Sequence, residues 1–162
     1  MHNAVSERDK ESILSLLLTS PAFEHNDFIP DEFTCHGLDC PPPLAWENAP
    51  PNTKSFVIIM DDPDASGGLW VHWVLFNIPA SYNELDAAID LPDSAISVKN
   101  SWGKTGYGGP CPPRGTHRYF FRLYALDTFL SLDEKATKKD VEYAMQGHIL
   151  ESSELICKYT KL

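Results

Sequence analysis

The run KSFVIIMDDPDASGGLWVHWVLFNIP, residues 54–79, carries the reading of the fold. Its first part, KSFVIIMD, is almost continuously apolar and rich in β-branched side chains, the composition of a strand. Alternation along it places Phe56, Ile58, Met60 and Asp62 on one face and Val57, Ile59 and Asp61 on the other. Pro63 then ends the ladder and sets the direction of Asp64. After a glycine pair, LWVHWVLFNIP presents two aromatic-rich faces, and strict alternation puts Trp70, His72, Val74 and Phe76 together on one of them. Three carboxylates at a strand end with an imidazole close behind admit four readings: an acid/base pair, a metal site, a pocket for an anion, or a charged turn. Taken alone, the segment is best explained by a buried histidine satisfied by one of the aspartates.

Outward from this run, HRYFFRLYALD (117–127) is a third strand with Tyr, Phe and Leu at strand spacing. Shorter extended pieces are predicted at AFEHNDFI (22–29), DEFTC (31–35) and AISVKN (95–100). Thirteen prolines, concentrated in CPPPL, APP and GPCPP, break helices and make rigid connections between extended segments. Helical signal is confined to the ends. SERDKESILSLLL (6–18) is one candidate, and SLDEKATKKDVEYAMQGH (131–148) is the stronger one. Ser131 with Glu134, or Thr137 with Asp140, would cap the latter, and Gly147 would end it. HILESSELICKYT closes the chain as helix or strand. The expectation is a mainly β protein, two antiparallel sheets packed as a sandwich with short peripheral helices, in a single domain over residues 1–162.

Composition narrows the function classes. With 43% hydrophobic and 11% aromatic residues the chain is globular rather than disordered. A formal charge of −10 argues against a general nucleic-acid binder, which needs clustered Lys and Arg to meet phosphates. The apolar run ILSLLL (13–18) is too short to span a bilayer, and no A-x-A-like cleavage site follows it. The reading is a cytoplasmic protein without stable membrane insertion. Four cysteines are too few for a disulfide scaffold at this length, and Cys35 and Cys40 have no second cluster with which to hold zinc, so free thiols are the base reading.

A second constellation, GKTGYGGPCPPRGTHRY (103–119), packs five glycines and three prolines ahead of another strand. Glycines let backbone N–H groups approach a ligand, and prolines hold such a loop open. On the strand that follows, His117, Tyr119, Phe121 and Leu123 share a face. Two histidines therefore stand at loop–strand junctions, each with an aromatic on its own face.

Together these motifs resemble the phosphatidylethanolamine-binding protein family, in particular its bacterial, Raf kinase inhibitor-like branch. The resemblance covers nearly the whole chain: SPAF (20–23), IPDEFTCHG (29–37), PPPLAWENAP (41–50), the DPDA at 62–65 with His72 behind it, WGKTGYGGPCPP (102–113), GPCPPRGTHRY (109–119), YALD (124–127) and AMQGHILESSELICKYT (144–160). It implies a β-sandwich with a small pocket for anions and phosphoryl head groups. Carried over by position, Asp62, His72, His117 and Tyr119 would form that pocket, with Asp64, Ala65, Trp70, Gly108, Gly109 and Pro110 around it. Ser66 stands where the family pattern has a proline, which puts a cis Ala65–Ser66 peptide in question, and the long C-terminal helix of animal members has no counterpart. Cys35 and Cys111 lie in motifs that border the pocket in such proteins, which raises a disulfide between them beside the free-thiol reading.

The resemblance implies a binding protein rather than an enzyme, with no cofactor. Its partners would be a small anionic ligand and, by likeness to bacterial members, a second copy of the chain as a homodimer; modulation of a kinase or protease is a further implication. The alternative is a metal-assisted phosphoester hydrolase using Asp62, Asp64, His72 and His117. An anion beside Asp62 needs a positive group between them, so a histidine that holds a proton against that aspartate is expected to donate to the ligand, with affinity falling as pH rises from 5.5 to 8.

Overall fold

The structure, a computed structural model, describes residues 15–161. The strands in chain order are β1 (Leu17–Thr19), β2 (Asp27–Phe28), β3 (Leu44–Glu47), β4 (Ser55–Asp62), β5 (Trp70–Pro79), β6 (Glu84–Leu85), β7 (Ile96–Ser97), β8 (Gly115–Leu126) and β9 (Ile149–Lys161). One helix, α1 (Lys138–Met145), and a 3-10 turn at Asp31–Phe33 accompany them. A three-stranded sheet, β1-β3-β6, faces a six-stranded sheet ordered β2-β9-β8-β4-β5-β7. Neighbouring strands are antiparallel except β2 beside β9.

The long apolar run is the central strand. β4 lies between β5 and β8, and all eight of its residues are buried. Its two faces feed different cores, as alternation requires. Phe56, Ile58 and Met60 join Leu18, Leu44, Trp46, Phe121 and Leu123 between the sheets. Val57 and Ile59 join Val74, Phe76, Leu130, Val141 and Met145 under α1.

The β5 alternation departs from expectation at two bulges. Met60 pairs with Trp73 but Asp61 pairs with Val71, so His72 is the extra residue on β5. The bulge leaves His72 on the side of Trp73, its ring against Tyr119, while Val74 and Phe76 turn to the helix-covered core. The second bulge contains Asn77, at φ 61°, whose side chain pairs with both backbone groups of Leu130 (Nδ2 to O 3.0 Å, Oδ1 from N 2.8 Å).

Other corrections have local causes. Asp31–Phe33 is a 3-10 turn rather than an extended piece: Pro30 precedes it, and the amide and hydroxyl of Thr34 both donate to the Asp31 carbonyl. Only Asp27–Phe28 of AFEHNDFI is strand. Leu17 and Leu18 lie in β1 rather than in an N-terminal helix; residues 6–14 of that expected helix fall outside the described residues. Of the two capping boxes, Thr137 with Asp140 is the one that forms, and Gly147, at φ 79°, follows the C-cap Gln146. HILESSELICKYT is strand, because β8 offers a long edge on which β9 pairs from Ile149 to Lys161. No helix of the described residues is long and apolar enough to cross a membrane.

Candidate functional site

Asp62 ends β4, His72 opens β5, and His117 and Tyr119 open β8, so the sheet order brings three strand ends to one place. A cavity of about 640 Å³ opens there, lined by Asp62, Ala65, Trp70, His72, His117 and Tyr119. Ser66 to Leu69 and Cys111 to Pro113 also line it.

Asp62 is almost wholly buried and organises the site. Its Oδ2 accepts from His117 Nδ1 at 2.6 Å, and its Oδ1 accepts the Asp64 amide at 2.8 Å. With the Asp62 oxygen accepting, Nδ1 of His117 is the donor, and among the described residues Nε2 has no protein partner. His72 is oriented in the same way by a backbone group: Nδ1 donates to the Gly108 carbonyl at 2.6 Å. Its ring is edge-on to both Trp102 and Tyr119, at 4.9 and 5.2 Å. Burial pushes the His72 pKa down against the pull of the Gly108 carbonyl and Asp62, which favours the neutral ring.

Tyr119 has no exposed surface, and among the described residues its hydroxyl makes no hydrogen bond. The Cys111 backbone stands near enough to ease the ionisation of the phenol, but without the geometry of a hydrogen bond. Desolvation, followed by the Asp62 charge, pushes the phenol well above its ordinary pKa, so it remains a donor. A buried hydroxyl without a partner is costly unless something else fills the place.

Asp64 does not join the pocket. Its carboxylate accepts from the Arg118 amide, Nε and Nη2, each at 2.9 Å, and this fork holds its pKa down at about 2. The set Asp62, Asp64, His72 and His117 is therefore not assembled, and among the described residues no three His, Cys, Asp or Glu side chains are grouped to hold a metal ion. Gly108, Gly109 and Pro110 stand behind the wall rather than on it. Gly108 and Gly109 line a smaller cavity of about 150 Å³. The Gly109 amide donates to Asp39 Oδ1 at 2.7 Å, and the Pro110 carbonyl accepts from the Cys35 amide at 3.2 Å. The Ala65–Ser66 peptide is trans.

Two features were missed or left open in the sequence. Trp102, which in the sequence stands out only as the first residue of the WGKTGY motif, lines both cavities and packs edge-on against Trp70 and His72. Cys35 and Cys111 form a disulfide, so the free-thiol reading holds for Cys40 and Cys157 alone.

The family model for the phosphatidylethanolamine-binding protein matches residues 19–160. The chain belongs to the phosphatidylethanolamine-binding protein family. It is 47% identical over 148 residues to a UPF0098 protein of Methanothermobacter thermautotrophicus, covering 89% of this chain and 98% of that one. A UPF0098 protein of Aquifex aeolicus is 44% identical, with 88% and 86% covered. Among solved structures, a phosphatidylethanolamine-binding protein homologue from Chlamydia trachomatis superposes with a TM-score of 0.87 at 38% identity, covering 91% of this chain and 99% of that one. Escherichia coli YbcL, described as a new member of the mammalian family, gives 0.85 at 29% identity, with the same coverage.

Proposed function

We propose that the pocket binds a small anion or a phosphoryl head group and holds it without converting it. One observation carries the reading: Tyr119, whose buried hydroxyl has no partner among the described residues, lines the same cavity as the Asp62–His117 pair. A phosphoryl oxygen would accept from that hydroxyl and from Nε2 of a protonated His117, whose charge Asp62 balances. Phosphatidylethanolamine, after which the family is named, is one source of such a group, and free phosphate or a phosphomonoester is another. Modulation of a protein partner and assembly as a homodimer belong to the same proposal, supported by the family likeness, and residence in the cytoplasm is proposed with them from the short N-terminal apolar run.

The test is a titration with inorganic phosphate followed by NMR of the imidazole nitrogens. Saturable shifts at His117, lost in Tyr119→Phe while the fold is retained, are expected. An unchanged spectrum up to tens of millimolar phosphate would reject the reading.

A further inference from the structure

We infer that the Cys35–Cys111 disulfide is a redox-labile latch on the pocket wall, so that anion affinity depends on its oxidation state; this rests on the binding reading above. Both cysteines lie on exposed loops, where a reductant can reach them. Cys111 belongs to the stretch Cys111–Pro113 that lines the pocket. The neighbouring contacts are unevenly placed. Tyr107 Oη donates to the Phe33 carbonyl at 2.6 Å, the Gly109 amide to Asp39, and the Cys35 amide to the Pro110 carbonyl. All three secure the loop up to Pro110. From Cys111 to Arg114, among the described residues, no hydrogen bond holds the chain until β8 begins at Gly115. The bridge from Cys111 to Cys35 is thus the tie that sets this part of the wall. The other two cysteines are placed differently: Cys157 is buried with its thiol pKa pushed up by desolvation, and Cys40 lines a separate cavity with Glu32 and Phe33.

The switching step needs a dithiol reductant. One of its thiolates attacks a bridge sulfur, forming a mixed disulfide and releasing the other cysteine as a thiolate that takes up a proton. The second reductant thiol then displaces the remaining cysteine, leaving two protein thiols and an oxidised, disulfide-form reductant. Once free, residues 111–114 must be re-ordered when a ligand binds. Pro112 and Pro113 keep φ fixed and the stretch stays tied at both ends, so the ordering cost is on the order of one residue's backbone, about a tenfold loss of affinity.

Inorganic phosphate affinity is measured on the full chain, oxidised and after dithiothreitol, together with 13Cα relaxation of residues 111–114 by NMR. Cys111→Ser serves as the permanently open form and Cys40→Ser as a control. Expected are weaker phosphate binding on reduction by about tenfold, recovery on reoxidation, no response to reductant in Cys111→Ser, and increased backbone mobility confined to residues 111–114. Equal affinity in both redox states, or global unfolding on reduction, would overturn the latch. If the oxidised protein binds no phosphate, the binding reading fails, and backbone mobility decides the latch by itself: unchanged 13Cα relaxation of residues 111–114 on reduction overturns it.

Discussion

Asp62→Asn separates two opposite roles for the charge in the pocket. The carboxylate accepts from His117 Nδ1 on one oxygen and from the Asp64 amide on the other. Asparagine can still accept the Asp64 amide, so the turn is expected to survive, but its NH₂ then faces Nδ1 and can only donate. The imidazole must present a lone pair at Nδ1 and carry its proton on Nε2. With aspartate in place, both ring nitrogens donate only in the imidazolium form, which offers an anion a charge-assisted hydrogen bond. The variant offers a neutral one. The two differ by on the order of 1–2 kcal/mol, which is roughly 5- to 30-fold in phosphate affinity. The opposing effect is repulsion between Asp62 and the anion, about 1 kcal/mol at 4 Å in water and more in a drier site. Contact at 2.6 Å between side chains only 5% and 12% exposed favours the first effect, because the carboxylate is already engaged by the His117 ring before an anion arrives. Calorimetric phosphate titrations at pH 5.5, 6.5 and 8 are the assay. Wild-type affinity should fall across this range, whereas Asp62→Asn should bind more weakly at pH 5.5 and vary little. Tighter binding by the variant, or an unchanged pH slope, would refute the reasoning.

Two further predictions concern the frame around the site. Arg122→Met removes the partner of Asp61, which is 3% exposed and paired at 3.2 Å, and should destabilise the fold by about 3 kcal/mol at pH 7 in urea denaturation. Burial raises the Asp61 pKa above its unfolded value even with Arg122 present, so this group favours folding at low pH and its contribution is lost as pH rises through the folded pKa. Without Arg122 that pKa rises further, and the deficit should therefore shrink as pH falls toward 5; a pH-independent loss would count against the ion pair. Gly109→Ala would press a methyl group onto the Phe33 carbonyl and the Asp39 carboxylate, and should cost about 2 kcal/mol while weakening phosphate binding. Gly67→Ala meets open space on the other side of the pocket and should lie within about 0.5 kcal/mol of wild type by thermal denaturation.

Much of the frame was legible along the chain. The continuous apolar run of β4, the alternation of β8 and the Thr137–Asp140 capping box are local signals, and each stands where it was expected. β9 stayed open between helix and strand because its polar stretch ESSE has no strong period of its own; the edge of β8 settled it. Asp64 looked equivalent to Asp62, two residues apart after a proline. Arg118, distant in sequence, takes it away from the pocket.

The sequence alone determined the class of the fold, because strand periodicity follows from short-range sterics and burial, whereas Asp62, His72, His117 and Tyr119 came together as a pocket set only through the family resemblance. Tertiary structure decided three things that no local pattern carries. The bulge at His72 is a matter of pairing with β4 and turns the ring toward Tyr119. The bridge between Cys35 and Cys111 spans a separation of 76 residues and exists because two loops meet beside the pocket. The unpartnered hydroxyl of Tyr119 depends on where Cys111, His72 and Asp62 stand around it, since a hydrogen bond is a matter of ångströms and angles that only the packed sheets define.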